Sequence, residues 1–140
     1  MRKVLVCVFA FLGIVFSCLT VRSSEVFVNE LRSLGYSLVP AAKTVRLTGR
    51  EVVVDSTWGI ESQVDSGHIA LRRLAEGASE IHGLRLEGSG QGRIVLRVAP
   101  GTVKAAPPAT AEEAYALRIA PRHIEITGNG DAGLLHGTQS

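Results

Sequence analysis

Apolar and polar positions divide the 140 residues into an apolar leader, several short alternating segments and two stretches with helical spacing. The leader opens with Arg2 and Lys3, runs almost unbroken through apolar residues from Val4 to Phe16, and ends in the smaller, more polar "SCLTVRSS". A basic start, an apolar middle of this length and a small-residue exit predict a secretory signal peptide over residues 1–24. An anchoring helix is the alternative, since Val4 to Val21 just suffices to span a thin bilayer. Ser17, Thr20 and Arg22 interrupt or close that run and favour processing.

Residues 25–37 form a lead-in. Phe27, Leu31 and Leu34 recur at helical spacing, and Gly35 supplies a stop. An irregular lead-in fits the same residues. Beyond Pro40, "TVRL" and "EVVVD" are β-branched runs separated by Thr48-Gly49, which predicts a hairpin. From Ser66 to His82, Leu71, Leu74, Ala78 and Ile81 repeat at three and four, Asp65 or Ser66 can cap the start, and Gly83 ends the helix. Arg72, Arg73, Glu76 and Glu80 fall on its other faces and read as solvated.

"LRLEGSGQGRIVLRVAP" reads as a short strand, a flexible glycine-rich turn and a strand with Ile94, Leu96 and Val98 on one face. After the surface loop "GTVKAAPPATA", "EAYALRIA" and "HIEIT" alternate around Pro121-Arg122. Tyr115, Leu117 and Ile119 share a face of the first strand, as do Ile124 and Ile126 of the second. Asp131 then opens a helix for which the sequence holds no stop signal. The order β-β-α-β-β-β-β-α predicts an α+β fold, a small mixed or antiparallel sheet with helices on one face.

Composition changes once the leader is set aside. It holds both cysteines (Cys7, Cys18), three of four phenylalanines and three of fifteen basic residues. Twelve basic residues then face thirteen acidic ones, turning a formal charge of +2 into −1. No basic stripe interleaved with aromatics remains, so nucleic acid is not an expected partner. Without cysteine, the mature chain has neither a disulfide framework nor thiol chemistry. Nor is a membrane span expected after processing. "VFSC" does resemble a bacterial lipobox, so a lipid anchor on Cys18 is the alternative to free export.

Chemistry is sparse. His68, His82, His123 and His136 have no partner at ligand spacing, so neither a metal nor any other cofactor is expected. No serine sits in a G-x-S-x-G elbow. Glu112 and Glu113 are adjacent, and strand neighbours point to opposite faces, so the pair cannot flank one glycosidic bond. "GSGQG" lacks the lysine and following helix of a phosphate loop. Trp58 could offer a sugar-binding platform, against the reading of a half-buried loop anchor.

The closing stretch "EEAYALRIAPRHIEITGNGDAGLLHGTQS" carries a signature. It resembles the end of the small domain that precedes the catalytic barrel in β-N-acetylhexosaminidases of glycoside hydrolase family 20. Those domains read E-x-Y-x-L-x-V, a short turn, I-x-I-x-(A/G), then a-G-(L/F)-(F/Y)-(Y/H)-G-x-Q-T-L. Glu113, Tyr115 and Leu117 match the first part, and Ile124 and Ile126 the second. Ala132, Gly133, Leu134, His136, Gly137 and Gln139 match the third, with Ser140 in place of the usual threonine. "LVPAAKTVRLTG" is similar to the opening of that domain, so the resemblance spans residues 38–140. Related domains precede the barrels of family 84 hexosaminidases and family 67 α-glucuronidases.

The resemblance implies a zincin-like topology without metal, and a parent enzyme that removes terminal β-linked N-acetylhexosamine. In that family an Asp-Glu pair on the barrel does the chemistry. This chain has no Asp-Glu dipeptide and no R-G-x-x-x-D stretch, so no catalytic or substrate-binding residue carries over. The expected function is therefore a non-catalytic N-terminal domain of an exported hexosaminidase, ending before a barrel that would be its partner in cis. The alternatives are a free-standing exported carbohydrate-binding or interaction module, and an exported domain that assembles with a separately encoded barrel. Gly133 and Gly137, four apart, would bare one helix face and, with Leu134 and Leu135, dock on the barrel. In the barrel's absence residues 131–140 are expected to fray.

Overall fold

A computed structural model describes residues 25–26, 31, 33–35, 42–105 and 108–140. The leader with Cys18 lies outside them, as do Phe27 and the "LVP" that opens the resemblance. Two short strands, β1 (Glu25–Val26) and β2 (Val45–Arg46), pair antiparallel. The main sheet follows from β3 (Gly59–Ser62), β4 (Arg93–Val98), β5 (Tyr115–Ala120) and β6 (His123–Gly128). Helix α1 (Ile69–His82) crosses from β3 to β4, a 3-10 segment (Pro108–Glu113) precedes β5, and α2 (Asp131–Gln139) follows β6.

The strand order is β3-β4-β6-β5, with β4 parallel to both neighbours and β5 antiparallel to β6. Two helices cover one face of this mixed sheet, and the core lies between them: Trp58, Ala70, Ile94, Leu96, Ile126 and Leu134. The alternation of β4 turns Ile94 and Leu96 inward with Val98 beside them, as their spacing predicts.

Several elements differ from the pattern-based expectation. "EVVVD" forms no strand: Val52 and Val54 pack on the core and Val53 stays exposed, while β2 finds its partner in β1. "GIES", with Ile60 as its one apolar residue, is the strand that pairs with β4. The run expected as a strand before the glycines contributes a single bridge, Glu87 to Gly59, although Leu86 still packs on the core.

Helix α1 starts three residues later than Ser66. His68 is the N-cap, its Nδ1 accepting from the Ala70 amide (3.2 Å). Asp65 stabilises the preceding turn by accepting from the Gly67 amide (3.1 Å). Gly83 ends the helix in the left-handed conformation (φ 65°) that glycine adopts without penalty. Fully buried Ala70 leads the inward stripe, with Leu71 and Leu74 beside it. Ile81 falls on the same stripe yet stays 76% exposed, because nothing among the described residues covers the last turn. The solvated face holds: Arg72 and Arg73 both pair with Glu76.

Candidate functional site: the closing hairpin and helix

The hairpin turns at Pro121-Arg122, where Arg122 takes a positive φ of 59° and its carbonyl accepts from the Arg93 amide (3.1 Å). This bond ties the hairpin tip to the start of β4 and sets the register Arg93↔His123. At the far end, β6 passes through Asn129 and Gly130 into α2, whose Leu134 amide bonds back to the Gly130 carbonyl (2.9 Å).

Asn129 organises that junction. It is 6% exposed, and its side-chain polar atoms are satisfied internally. Oδ1 accepts from the Val103 amide (2.8 Å), and Nδ2 donates to the carbonyls of Val103 (2.7 Å) and Ala111 (2.9 Å). Its own amide donates to the Ala114 carbonyl (2.9 Å). One side chain thus joins the end of β6, the loop after β4 and the 3-10 segment. Such a residue reads as a turn former in sequence, and only the positions it bridges reveal its role.

Helix α2 lies on the sheet. A Cβ at Gly133 would sit 2.9 Å from the Glu112 carbonyl oxygen, and one at Gly137 would sit 2.5 Å from Ile126 Cγ2 and 3.1 Å from the Tyr115 ring. Leu134 is fully buried and Leu135 packs partly against the same core. The face expected to await a barrel is therefore filled from within the domain. Gly133, Leu134 and Gly137 belong to its core, and the glycines are small because backbone and side chains of β5, β6 and the 3-10 segment occupy the space. The frayed tail expected from the sequence is a docked helix. Tyr115 and Ser140 hydroxyls meet at 2.7 Å, fixing its end.

The two helix starts also meet. His68 Nε2 lies 3.2 Å from Asp131 Oδ1, off the alignment of a hydrogen bond. Nδ1 accepts from Ala70, so Nε2 is the ring nitrogen turned toward that carboxylate. The remaining histidines stand apart, and among the described residues no three potential ligands gather around one point.

Trp58 is 4% exposed and closes the other end of the core, which removes the one aromatic platform considered for sugar. It enters through a tight turn: Asp55 accepts from the Thr57 amide (2.9 Å) and hydroxyl, and the Trp58 amide donates to the Asp55 carbonyl (3.1 Å). The Thr57 hydroxyl, then its amide, holds the Asp55 carboxyl below its ordinary pKa. "GSGQG" lies on this turn. A Cβ at Gly92 would meet Trp58 Cε3 at 2.7 Å, and one at Gly90 the Thr57 carbonyl oxygen at 2.6 Å. The expected flexible loop is a packed cradle.

Residues 35–140, which include the main sheet and both helices, match the family model described as glycosyl hydrolase family 20, domain 2. The chain belongs to that family. It is an accessory domain of family 20, and the hairpin and helix just described are the part whose motif first pointed there. Two solved structures of the GH20 exo-β-N-acetylglucosaminidase from Vibrio harveyi, an inactive mutant and the complex with N-acetylglucosamine, are similar at 26% identity and a TM-score of 0.48. Each match covers 61% of this chain and 12% of the Vibrio chain, so the match spans only a small part of that chain's length. No curated protein matches it.

Proposed function

We propose that this family 20 domain is the non-catalytic N-terminal part of an exported β-N-acetylhexosaminidase, and that it supports a catalytic barrel carried in cis. Family membership supports the glycosidase context. The helix-covered face carries the structural part of the reading. Gly133 sits over Ala114, and Gly137, one turn on, over Tyr115 and Ile126. Leu117 is the β5 partner of Ile126 and lies at the level of Gly137; the pair Ile124 and Ile119 comes next along the strands, and Ile119 is 50% exposed. Ile81 lies at the same end of the sheet, since α1 runs back from β3 to the start of β4. The supporting surface is therefore this apolar strip with the outer part of Leu135, rather than the buried Gly133, Leu134 and Gly137.

Catalysis belongs to the barrel. The sequence has no Asp-Glu dipeptide, and the hydrolytic pair would come from the partner. The leader directs export, with acylation of Cys18 as the lipoprotein variant of the same route. Reading the coding DNA downstream of codon 140 tests the proposal. An in-frame R-G-x-x-x-D followed by an Asp-Glu pair is the expected result. An in-frame stop with no barrel gene beside it would overturn it and favour a free-standing module.

A further inference from the structure

The sheet face turned away from the helices is built differently. Arg97 of β4, Glu125 and Thr127 of β6, and Ala116 and Arg118 of β5 line a groove of about 350 Å³, walled on one side by Thr102, Val103 and Lys104. Arg97 is fixed in it: Nη2 lies 2.7 Å from Glu125 Oε1, and Nε donates to Thr127 Oγ1 at 3.0 Å. Thr127 is itself buried, so the guanidinium is held from below. Glu125 is consequently engaged by Arg97. Arg118 stands opposite Glu125 in the β5–β6 register, and neither Arg118 nor Lys104 has an ion-pair partner among the described residues. Three cations and one carboxylate give the groove a local charge of +2, in a chain that carries −1 beyond its leader.

The wall is equally fixed. Both backbone polar groups of Val103 are bonded to the buried Asn129 side chain, which holds the 102–104 segment against the sheet. The small side chain of Ala116, paired with Thr127, keeps the floor between the cations low. A positive groove with a rigid wall and a preset guanidinium loses little freedom on binding an anion. Its donors suit carboxylates, which a guanidinium meets with two parallel bonds.

We propose that this groove binds the carboxylate groups of an acidic polysaccharide, with Arg118 and Lys104 as direct contacts and Arg97 as the fixed cation between the strands. No aromatic side chain lines the groove, so the bases of a single-stranded nucleic acid would find no stacking platform. Choosing a glycan over other polyanions rests on the glycosidase reading above. The groove would hold a charged stretch of chain while a barrel works on another part of it.

Isothermal titration of the full chain with polygalacturonate, neutral dextran and a single-stranded DNA oligonucleotide tests the inference. Polygalacturonate should bind with an affinity that falls as salt is added, dextran should not bind, and the oligonucleotide should bind more weakly. The pair Lys104→Gln and Arg118→Gln should weaken polygalacturonate binding about ten-fold, the sum of two exposed charge contacts. The pair Arg50→Gln and Arg85→Gln removes equal charge outside the groove and should leave affinity within about two-fold. Arg118→Lys, which keeps the charge, should retain most of the binding. Absence of polygalacturonate binding, equal losses in the two double variants, or oligonucleotide binding as tight as polygalacturonate would each overturn the proposal. The titration needs no hexosaminidase substrate, so failure of the glycosidase reading would appear in the downstream reading frame and not here.

Discussion

Residues 88–92 and 128–137 are the two glycine-rich stretches of the molecule, and each is closely packed for a different reason. In the first, "GSGQG", the absent side chains make room for a turn and an indole ring arriving from Thr57 and Trp58. In the second, "GNGDAGLLHG", they let a helix backbone settle onto a strand and a 3-10 segment, so that Leu134 is sealed inside. Each stretch meets both kinds of neighbour: Gly88 and Gly90 face the Thr57–Trp58 main chain and Gly92 the indole, while Gly133 faces main chain and Gly137 the side chains of Ile126 and Tyr115. Glycine content alone reads as slack in both. What distinguishes a cradle from a loose turn is the partner that fills it, and in both cases that partner is remote or on a different element.

The largest test of this contrast lies at Trp58. Trp58→Ala should cost about 3–5 kcal/mol in urea unfolding, the range for a buried aromatic. Gly92→Ala should also destabilise the native protein, yet cost markedly less when combined with Trp58→Ala, since the obstacle is then gone. Equal costs in both backgrounds would mean that the ring does not fill the cradle. Leu134→Ala comes next and should cost about 2–5 kcal/mol, because its side chain is fully enclosed. A cost near zero in urea unfolding would restore the picture of a frayed tail.

Gly137→Ala gives a smaller effect with an informative sign. In an unpacked helix the change would stabilise by about 1 kcal/mol. Against Ile126 and Tyr115 it should instead destabilise by about 1–3 kcal/mol through overpacking. Amide hydrogen exchange should agree, with slow exchange at Leu134 and the residues after it through Gln139. The smallest effect concerns Asp55. Its carboxyl is held below the ordinary aspartate value of about 3.9, so its contribution is complete above that value and is lost as pH falls through the lowered one. Asp55→Asn should therefore flatten the acid limb of a stability–pH curve by slightly lowering its neutral plateau, with stability below the lowered value unchanged. An unchanged acid limb would assign that limb to other carboxylates.

The sequence made some of this legible and hid the rest for physical reasons. The strand character of β5 and β6 and the inward Leu71 and Leu74 of α1 are local signals, and the structure keeps them, while Ile119 and Ile81 at the ends of the same stripes stay exposed. β3 offers only Ile60 as an apolar residue, and its strand character comes from pairing with β4 more than thirty residues later. β1 and β2 are likewise defined by each other. At the closing site, the motif containing Gly133, Leu134 and Gly137 was visible, but its packing direction was not, because a two-glycine face does not say what approaches it. Asn129 gave no signal beyond turn propensity, since its value lies in bonds to Val103 and Ala111 on separate segments.

The strand order sets a timetable for synthesis. β6 is interior to the sheet yet is made after both β4 and β5, so when β4 leaves the ribosome one of its hydrogen-bonding edges has no partner. That edge belongs to "RIVLRV", a β-rich segment of the kind that recruits foreign strands when left open. Its charged ends, Arg93 and the later Arg97, pair in the finished sheet with Glu61 and Glu125. Until Glu125 emerges, Arg97 lacks that partner, and a charge inside such a run disfavours recruitment of foreign strands. The arginine that fixes the groove is thus also the charge that interrupts this β-rich run.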